Sequence, residues 1–268
     1  MAQKEFQKLD LKDAFLFAAA LEDPETCQLV LEMIMGRPIG PVSVQVEHSV
    51  LFSKDFRYVR FEVYASDVMK VLYDMEMQNA HKEELPKRAR YHQGEMDATY
   101  LKPGQGFHEL PVSYVIFICT YDPFHSGLYR YTFEERCEET GECLGDGTCK
   151  IYLNTKGTND TDVPQELIHF LKYVENSTEA CVKAAKDEKV EKLHQKVELL
   201  KKSRRLEESY MTMEELLADR EAEGKAEGKA LFLKLVSLMI QDDLAGDIPR
   251  LSEDEEFCKN MLEKYHLE

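Results

Sequence analysis

Hydrophobic and polar positions change period along the first part of the chain, and these changes predict the order of its secondary-structure elements. The stretch LKDAFLFAAALEDPETCQLVLEMIMG repeats its apolar residues at helical spacing and predicts two helices, the second starting after Pro24 and ending at Gly36. The period then changes to two, which predicts β-strands at about 43–52, 57–65 and 71–78. Residues 80–101 return to a helical period, with Pro86 near the helix start.

The following residues predict a buried sheet that is closed by a helix. SYVIFICTY is almost continuously apolar, which is typical of a strand covered on both faces. LYRYTF and TCKIYLNTKG predict two more strands, and PQELIHFLKYVEN predicts a helix. The predicted order is α-α-β-β-β-α-β-β-β-α, which is that of an α/β domain.

The composition changes beyond Asn176, and we expect a domain boundary there, with a core at 1–176 and a charged helical region at 177–268. This second region is rich in Ala, Glu, Lys and Leu, as long solvated helices are. It contains the four-residue repeat EGKAEGKA, whose glycines weaken a helix by roughly 1 kcal/mol each relative to alanine. The region is interpreted as a helical arm that could form a homo-oligomer.

Composition and charge restrict the class of protein. A hydrophobic content of 43% and a charged content of 32% indicate a folded globular chain. We expect no membrane partner and a cytoplasmic location, because no apolar window is long enough to span a bilayer and the N-terminus lacks the apolar core of a signal peptide. The net charge of −17 argues against passive binding to nucleic-acid phosphates. The negative charge does not exclude a nuclease, because divalent cations neutralise the carboxylates of such a site.

Other sequence signals are weak. Cys137, Cys143 and Cys149 recur every six residues, but they supply three soft ligands with no CxxC pair, so a cysteine-rich loop or hairpin is favoured over a structural zinc site. The histidines, His81, His92, His125 and His169 among them, form no spaced metal motif and are interpreted as surface or structural residues. Neither a GxxxxGK[ST] loop nor a GxGxxG fingerprint occurs, which argues against nucleotide-driven chemistry.

The stretch RFEVYASDVMKVLYDMEMQ carries the strongest chemical signal. Residues two apart in a strand share a face, so Asp74, Glu76 and Gln78 lie on one side of their strand. An antiparallel hairpin that turns at 66–70 places Glu62 across from the segment 74–76. Two carboxylates therefore converge on one part of the predicted sheet.

Converging carboxylates are unfavourable in a partly buried site unless a cation or a proton compensates for their charge. A hard divalent ion such as Mg²⁺, held by carboxylates beside substrate phosphates, is one arrangement that satisfies this requirement. The alternative is an amphipathic hairpin whose polar face meets water. The alternation of residues by itself is compatible with both.

Several motifs together resemble the PD-(D/E)XK nuclease superfamily, in particular its branch of recombination-promoting nucleases, often labelled transposases. They are VRFEVYASDVMKVLYDMEMQ, LPKRARYHQGEMD, ELPVSYVIFICTYDPF, YTFEERC and YLNTKG, within about residues 10–176, and the EGKAEGKA repeat also resembles tails of that branch. The resemblance implies a restriction-endonuclease-like core with a mixed β-sheet flanked by helices. It also implies cleavage of DNA phosphodiester bonds with Mg²⁺ or Mn²⁺, in recombination or mobile elements.

The resemblance assigns roles to particular residues. It places the first metal-binding acid at Glu62, where the family pattern RxDVY has aspartate, and the second at Glu76. The lysine that usually follows two residues later is Gln78 here, as is common in this branch. We expect the missing positive charge to come from the next helix, with Lys87 or Arg88 as the donor.

Further positions have two open interpretations. Asp13 corresponds to the acid of a DxxFK motif on the first helix, although the lysine position is Leu16, so Asp13 is either a supporting metal acid or a helix cap. Tyr91 and Gln93 could contact a phosphate, and packing is an equal alternative for Tyr91.

The glutamate at position 62 is compatible with two alternatives for the activity of the protein. Its extra methylene moves the carboxylate by about 1.5 Å relative to aspartate, and Mg²⁺ tolerates misplaced ligands poorly. The first alternative is an active metal-dependent endonuclease. The second is a catalytically weakened or inactive member that acts as a DNA-binding or protein-interaction module.

Overall fold

The computed structural model describes residues 6–53, 56–81, 84–242 and 244–267. The described side chains are those of these ranges without residues 47–53, 56–62, 220, 221, 226, 227, 245, 253 and 255. The contacts divide the chain into two compact units, Met1–Glu207 and Glu208–Glu268.

The described part of the first unit contains six helices and six strands, and a long seventh helix crosses into the second unit. The helices are α1 (Ala14–Leu21), α2 (Pro24–Met35), α3 (Leu85–Tyr100), α4 (Gln165–Glu175), α5 (Glu179–Ala185), α6 (Glu188–Lys201) and α7 (Arg204–Gln241). The strands are β1 (Val42–Ser53), β2 (Phe56–Asp67), β3 (Leu72–Gln78), β4 (Ser113–Cys119), β5 (Arg130–Phe133) and β6 (Thr148–Asn154). The order predicted for the first 176 residues, α-α-β-β-β-α-β-β-β-α, is confirmed.

The strands form one mixed six-stranded sheet in the order β1-β2-β3-β4-β6-β5. β1, β2 and β3 are successive antiparallel neighbours, β3, β4 and β6 run parallel, and β5 is antiparallel to β6. The parallel connection from β3 to β4 is made by α3, as a crossover between parallel strands requires. The predicted α/β fold with a mixed sheet flanked by helices is confirmed.

β4 lies in the middle of the hydrophobic core and is covered on both faces, as its continuous apolar sequence predicts. Val115 and Phe117 belong to the cluster that includes Leu85 and Ala89 of α3. Ile116, on the opposite face because side chains alternate along a strand, is also fully buried. Helix α3 therefore covers one face of the sheet, and α1 and α2 contact β1–β3.

The two N-terminal helices are bounded by residues that the sequence marks as helix ends. Asp23 caps α2 by accepting a hydrogen bond from the Thr26 backbone amide at 3.1 Å, and Pro24 follows in the first turn. Gly36 ends α2 in the left-handed conformation, with a φ of 67°, that glycine adopts at little cost. Every residue of α1 from Phe15 to Leu21 is buried, as is typical of a helix covered on all sides.

Helices beyond residue 176 contribute to the first unit. α6 contacts α1, α2 and α4, and α5 contacts α4. Val190, Leu193 and Val197 of α6 have no exposed surface. The first compact unit thus extends past Asn176, and the domain boundary expected there stays a prediction.

The second unit consists of the rest of α7 followed by α8 (Arg250–Glu253) and α9 (Glu255–Lys264). It has a small apolar core of its own, formed by Leu235, Met239, Leu251 and Leu267. The repeat EGKAEGKA lies within α7. Among the described residues, no helix combines the length and apolarity needed to cross a membrane.

We predict that truncation after Asn176 destabilises the first unit, whereas truncation after Glu207 leaves its stability close to that of the full chain. Removing α6 uncovers the surfaces against which Val190, Leu193 and Val197 pack, and each such side chain contributes about 1.5–3 kcal/mol when buried. The sum is comparable with the whole stability of a typical domain, about 5–15 kcal/mol. Thermal unfolding of both truncations measures the difference, and equal unfolding temperatures would contradict the prediction.

Candidate active site

Strand β3 presents a polar face to α3 and an apolar face to the other side of the sheet. Asp74 and Gln78 on the polar face are 1% and 5% exposed, and Glu76 lies between them. Tyr73 and Met75, which alternate with them, have no exposed surface. Buried polar side chains need partners, because leaving them unpaired costs about 1–3 kcal/mol each. The polar side chains of β3 therefore need hydrogen-bond partners from α3.

Arg88, in the first turn of α3, binds two side chains of this face. Its Nη2 donates a short hydrogen bond to Glu76 Oε1, and its Nη1 donates to Gln78 Oε1 at 2.8 Å. The Gln78 amide nitrogen in turn donates to the Ala80 carbonyl at 2.8 Å. The guanidinium also lies 5.6 Å from the centre of the Phe117 ring. Arg88 thus connects the acid and the amide that the sequence predicts for the site.

His92, one helical turn after Arg88, lies between two carboxylates. Its Nδ1 is 2.7 Å from Asp74 Oδ2, and its Nε2 is 3.8 Å from Glu76 Oε2. The imidazole is 4% exposed and packs at an angle against the Phe117 ring, with a centroid distance of 5.8 Å. The two oxygens of Glu76 therefore face different residues of α3.

Glu62 is the backbone partner of Glu76 in the antiparallel pairing of β2 with β3. This register confirms that the hairpin brings the two predicted acids to the same level of the sheet. The side chain of Glu62 lies outside the described side chains. Its metal-binding role stays a prediction that rests on the register and on the resemblance.

The polar face of β3 ends at the edge of the sheet where the parallel strands also end. Gln78, Cys119 and Asn154 are in register at the ends of β3, β4 and β6. The Thr120 amide donates to the Gln78 carbonyl at 3.1 Å, which joins the loop after β4 to this edge. Ligands of α/β sheets bind at the carboxyl ends of their strands. The edge is therefore a suitable place for a substrate.

The start of α1 approaches the same edge. The side-chain amide of Asn79 donates to the Lys12 carbonyl at 2.7 Å. Asp13 is the N-cap of α1 and accepts hydrogen bonds from the amides of Phe15 and Leu16 at 3.1 and 3.2 Å. The helix-cap interpretation of Asp13 is confirmed, while its role as a supporting metal acid stays a prediction.

Charged side chains near Lys12 add to the polarity of this edge. Glu175 accepts from the ammonium groups of Lys12 and Lys156 at 2.9 and 3.0 Å, and from the Thr155 hydroxyl at 3.0 Å. Desolvation raises the pKa of Glu175, but these hydrogen bonds outweigh it and lower the pKa below its ordinary value. Two lysines are consequently held in place beside the carboxyl end of β6.

The loop that follows β4 is organised by Asp122. Its carboxylate accepts hydrogen bonds from the amides of Phe124, His125 and Gly127 and from the Tyr131 hydroxyl. Although desolvation acts in the opposite direction, these bonds lower the pKa of Asp122.

Cys119, at the end of β4, is a buried core residue and is not a candidate nucleophile or metal ligand. Burial raises the pKa of its thiol to about 12, so the residue stays protonated at neutral pH. A protonated, buried thiol is a poor nucleophile and a poor metal ligand.

The other predicted residues of α3 occupy different environments. Lys87 is exposed, and the contacts with Glu76 and Gln78 are made by Arg88. Tyr91 is 62% exposed, so its side chain is accessible to a substrate. Gln93 is buried and donates a short hydrogen bond to the Ser113 hydroxyl, which indicates a structural role.

The residues of the cluster fit a divalent cation. Glu76 Oε2 is buried and has no hydrogen-bond partner among the described atoms. A carboxylate oxygen in this position is satisfied by a cation. Among the described residues, no three His, Cys, Asp or Glu side chains are grouped closely enough to hold a metal by themselves, so the donor set requires Glu62 or substrate oxygens in addition.

The cysteine-rich segment forms a hairpin, as the preferred interpretation predicts. Arg136 and Cys143 form an antiparallel bridge, and the Cys137 amide donates to the Glu142 carbonyl at 2.9 Å. Cys137 and Cys143 are exposed free thiols, and Cys149 is buried.

The sequence does not predict the pairing of His92 with Asp74. The signal was present, because Arg88 and His92 are four residues apart and share a helix face, and Asp74 and Glu76 share a strand face. Which two faces contact each other follows only from the packing of α3 on β3. The buried position of His92, within hydrogen-bond distance of Asp74, fits its interpretation as a structural residue.

The fold and the cluster together define a protein of the restriction-endonuclease-like α/β class, with an acidic strand pair at the carboxyl edge of its sheet. The chain matches the family model described as PD-(D/E)XK nuclease family transposase over residues 44–227, and it belongs to that family. PD-(D/E)XK nucleases generally depend on divalent metal ions. No curated protein and no solved structure matches the chain significantly.

We predict that Arg88→Met destabilises the protein by about 3 kcal/mol, at the lower end of the range for breaking a buried ion pair because both partners keep some exposure. The substitution leaves the Glu76 carboxylate and the Gln78 carbonyl without their donor. Combining it with Glu76→Gln removes the unpaired charge and should recover at least half of the loss. The matched control is Arg90→Met, an exposed cation on the same helix, with an expected change within about 0.5 kcal/mol. Urea unfolding in EDTA measures all four chains, and equal losses of stability at positions 88 and 90 would contradict a stabilising role for the Arg88 contacts.

Proposed function

We propose that the protein is a metal-dependent DNA endonuclease that hydrolyses phosphodiester bonds, acting in recombination or on mobile elements. The observation that carries this proposal is the pairing of Glu62 with Glu76 in the sheet register, beside Gln78 and Arg88. Family membership supports a nuclease or transposase-like function. The substrate, the reaction and the identity of the ion belong to the proposal.

Each residue of the cluster has a role that its chemistry allows. Glu62 and Glu76 hold the divalent ion, Mg²⁺ or Mn²⁺, with Asp13 as a supporting acid. When bound, such an ion polarises the phosphate and lowers the pKa of an attacking water. Gln78 orients that water through its amide, which can donate and accept hydrogen bonds but carries no charge.

Arg88 supplies the positive charge that glutamine at position 78 lacks. Its guanidinium already contacts both Glu76 and Gln78, and its planar donors suit a phosphate oxygen. A fixed cation aimed at the developing negative charge lowers the barrier for phosphoryl transfer. Lys87, exposed beside it, is proposed to contribute a phosphate contact further from the reacting atoms.

The acidic composition is compatible with a DNA substrate. The net charge is −17, and near the cluster the cations Arg88, Lys12 and Lys156 are matched by the carboxylates Asp74, Glu76 and Glu175. Divalent ions at the carboxylates would make the local charge positive. DNA is therefore proposed to approach the carboxyl edge of the sheet.

The second candidate is a catalytically weakened or inactive member of the family, and two observations favour it. Glu76 is engaged by Arg88, and Glu62 replaces the aspartate of the family pattern. In that case the protein is a DNA-binding or protein-interaction module on a nuclease fold.

Association of two copies through the C-terminal helices is a further proposal, supported by exposed apolar residues on α7, namely Leu216, Leu217, Leu231, Phe232, Leu233 and Ile240.

We predict that the protein nicks supercoiled plasmid in Mg²⁺ or Mn²⁺ and not in EDTA. Glu76→Gln should slow nicking by at least about 100-fold, because it removes a proposed ligand of the ion, and even the outer-shell partners of metal ligands typically contribute about 10–100-fold. The control is Glu138→Gln, an exposed acid in the cysteine-rich hairpin, which should leave the rate unchanged. Gel assays of the three chains make the comparison. Equal nicking by wild type and Glu76→Gln, or none by wild type in either metal, would contradict the endonuclease proposal.

Substitution at position 62 distinguishes the two candidate functions. If the longer side chain only misplaces one ligand, Glu62→Asp should raise the nicking rate at least about tenfold, which corresponds to about 1.4 kcal/mol. Glu62→Ala is the matched control and should abolish nicking. Absence of cleavage by both the wild type and Glu62→Asp, with DNA binding retained in a gel-shift assay, would instead support the binding module.

A further inference from the structure

Asp74 and His92 form a buried pair that the roles above leave unused. Their side chains are 1% and 4% exposed, and the Oδ2–Nδ1 distance is 2.7 Å. Burying a carboxylate and an imidazole costs free energy that an apolar pair would not require. The ring stands directly beside Glu76, the second acid of the proposed site.

We propose that His92 is a ligand of the divalent ion through Nε2, and that Asp74 fixes the ring for this purpose. This inference rests on the proposed function, because it adds a nitrogen donor to the carboxylates Glu62 and Glu76. Asp74 is placed to accept the Nδ1–H, which in a neutral imidazole leaves the lone pair on Nε2. Histidines that bind metals in proteins usually donate their other N–H to a carboxylate in this way.

The distance from His92 to Glu76 is compatible with a shared ion. Nε2 and Glu76 Oε2 are 3.8 Å apart, which is too far for a hydrogen bond. At metal–ligand distances of about 2.1 Å, adjacent donors of an octahedral ion are about 3.0 Å apart and opposite donors about 4.2 Å, so His92 and Glu76 can share an ion after a shift of less than about 1 Å. Glu76 Oε2 is also the oxygen that has no hydrogen-bond partner among the described atoms.

Arg88 and the ion do not compete for the same atom in this arrangement. Arg88 binds Glu76 Oε1, whereas Oε2 faces His92. The guanidinium can therefore stay in place to meet a phosphate while the carboxylate binds the ion. Because Arg88 and His92 are one helical turn apart, Arg88 contacts Oε1 of Glu76 and His92 faces Oε2.

The inference specifies the class of ion. Mg²⁺ prefers oxygen donors and binds imidazole poorly, whereas Mn²⁺ and later transition ions accept a mixture of nitrogen and oxygen. The site should therefore bind Mn²⁺ more tightly than Mg²⁺. Replacing the imidazole should reduce this preference, because the remaining donors are oxygens.

The test measures Mn²⁺ binding by the full-length chain, by calorimetry and by the nitrogen hyperfine coupling of the bound ion in electron paramagnetic resonance. His92→Phe keeps an aromatic ring beside Phe117, and His92→Gln is a second variant in case the first does not fold. The control is His108→Gln, an exposed histidine. Thermal unfolding in EDTA verifies the fold of each chain.

We expect an imidazole nitrogen coupling in the wild type and in His108→Gln, and its loss in both His92 variants. The Mn²⁺ dissociation constant should rise at least about tenfold in those variants, with a smaller change for Mg²⁺. Asp74→Asn, which keeps the imidazole, should weaken Mn²⁺ binding less.

Two results would overturn the inference, and they are distinguishable. If the wild type binds Mn²⁺ and nicks DNA while the His92 variants keep the same affinity and coupling, only the ligand role of His92 is wrong. If the wild type binds neither Mn²⁺ nor Mg²⁺, the metal-dependent function and the ligand role fail together.

Discussion

The burial of a polar strand face against a helix is the constraint on which the rest of the site depends. Asp74, Glu76 and Gln78 point from β3 toward α3, inside the protein, where unpaired polar groups are costly. Arg88 and His92 pair with all three from adjacent turns of α3. The docking of one helix therefore fixes the positions of two carboxylates and one amide.

The sheet places this cluster near the edge at which its parallel strands end. β3, β4 and β6 run parallel and end in register, so the loops that follow them meet at one edge. The antiparallel β2 brings Glu62 to the level of Glu76 at the same place. This arrangement supports the proposed metal-dependent cleavage, because reacting groups must be held in a fixed geometry.

Much of the fold follows from local patterns in the sequence. A period of two between residues 43 and 78 and the apolar run of β4 predict strands, and all are present. Pro24 and Gly36 mark the ends of α2 because their backbone preferences suit those positions. The packing of α6 against α1, α2 and α4 was not predictable, because a charged amphipathic helix has the same pattern whether its apolar stripe meets the core or another partner.

The sequence alone determined which residues share a face, and its resemblance to the family predicts Glu62, Glu76 and Gln78 as site residues. It does not distinguish Lys87 from Arg88 as the neighbour of the acid and the amide, and it does not predict the pairing of His92 with Asp74. Neighbouring residues on a helix point about 100° apart, so only the docking of α3 on β3 decides that Arg88, and not Lys87, contacts Glu76 and Gln78. Contacts between distant segments depend on how the faces meet, which tertiary packing decides.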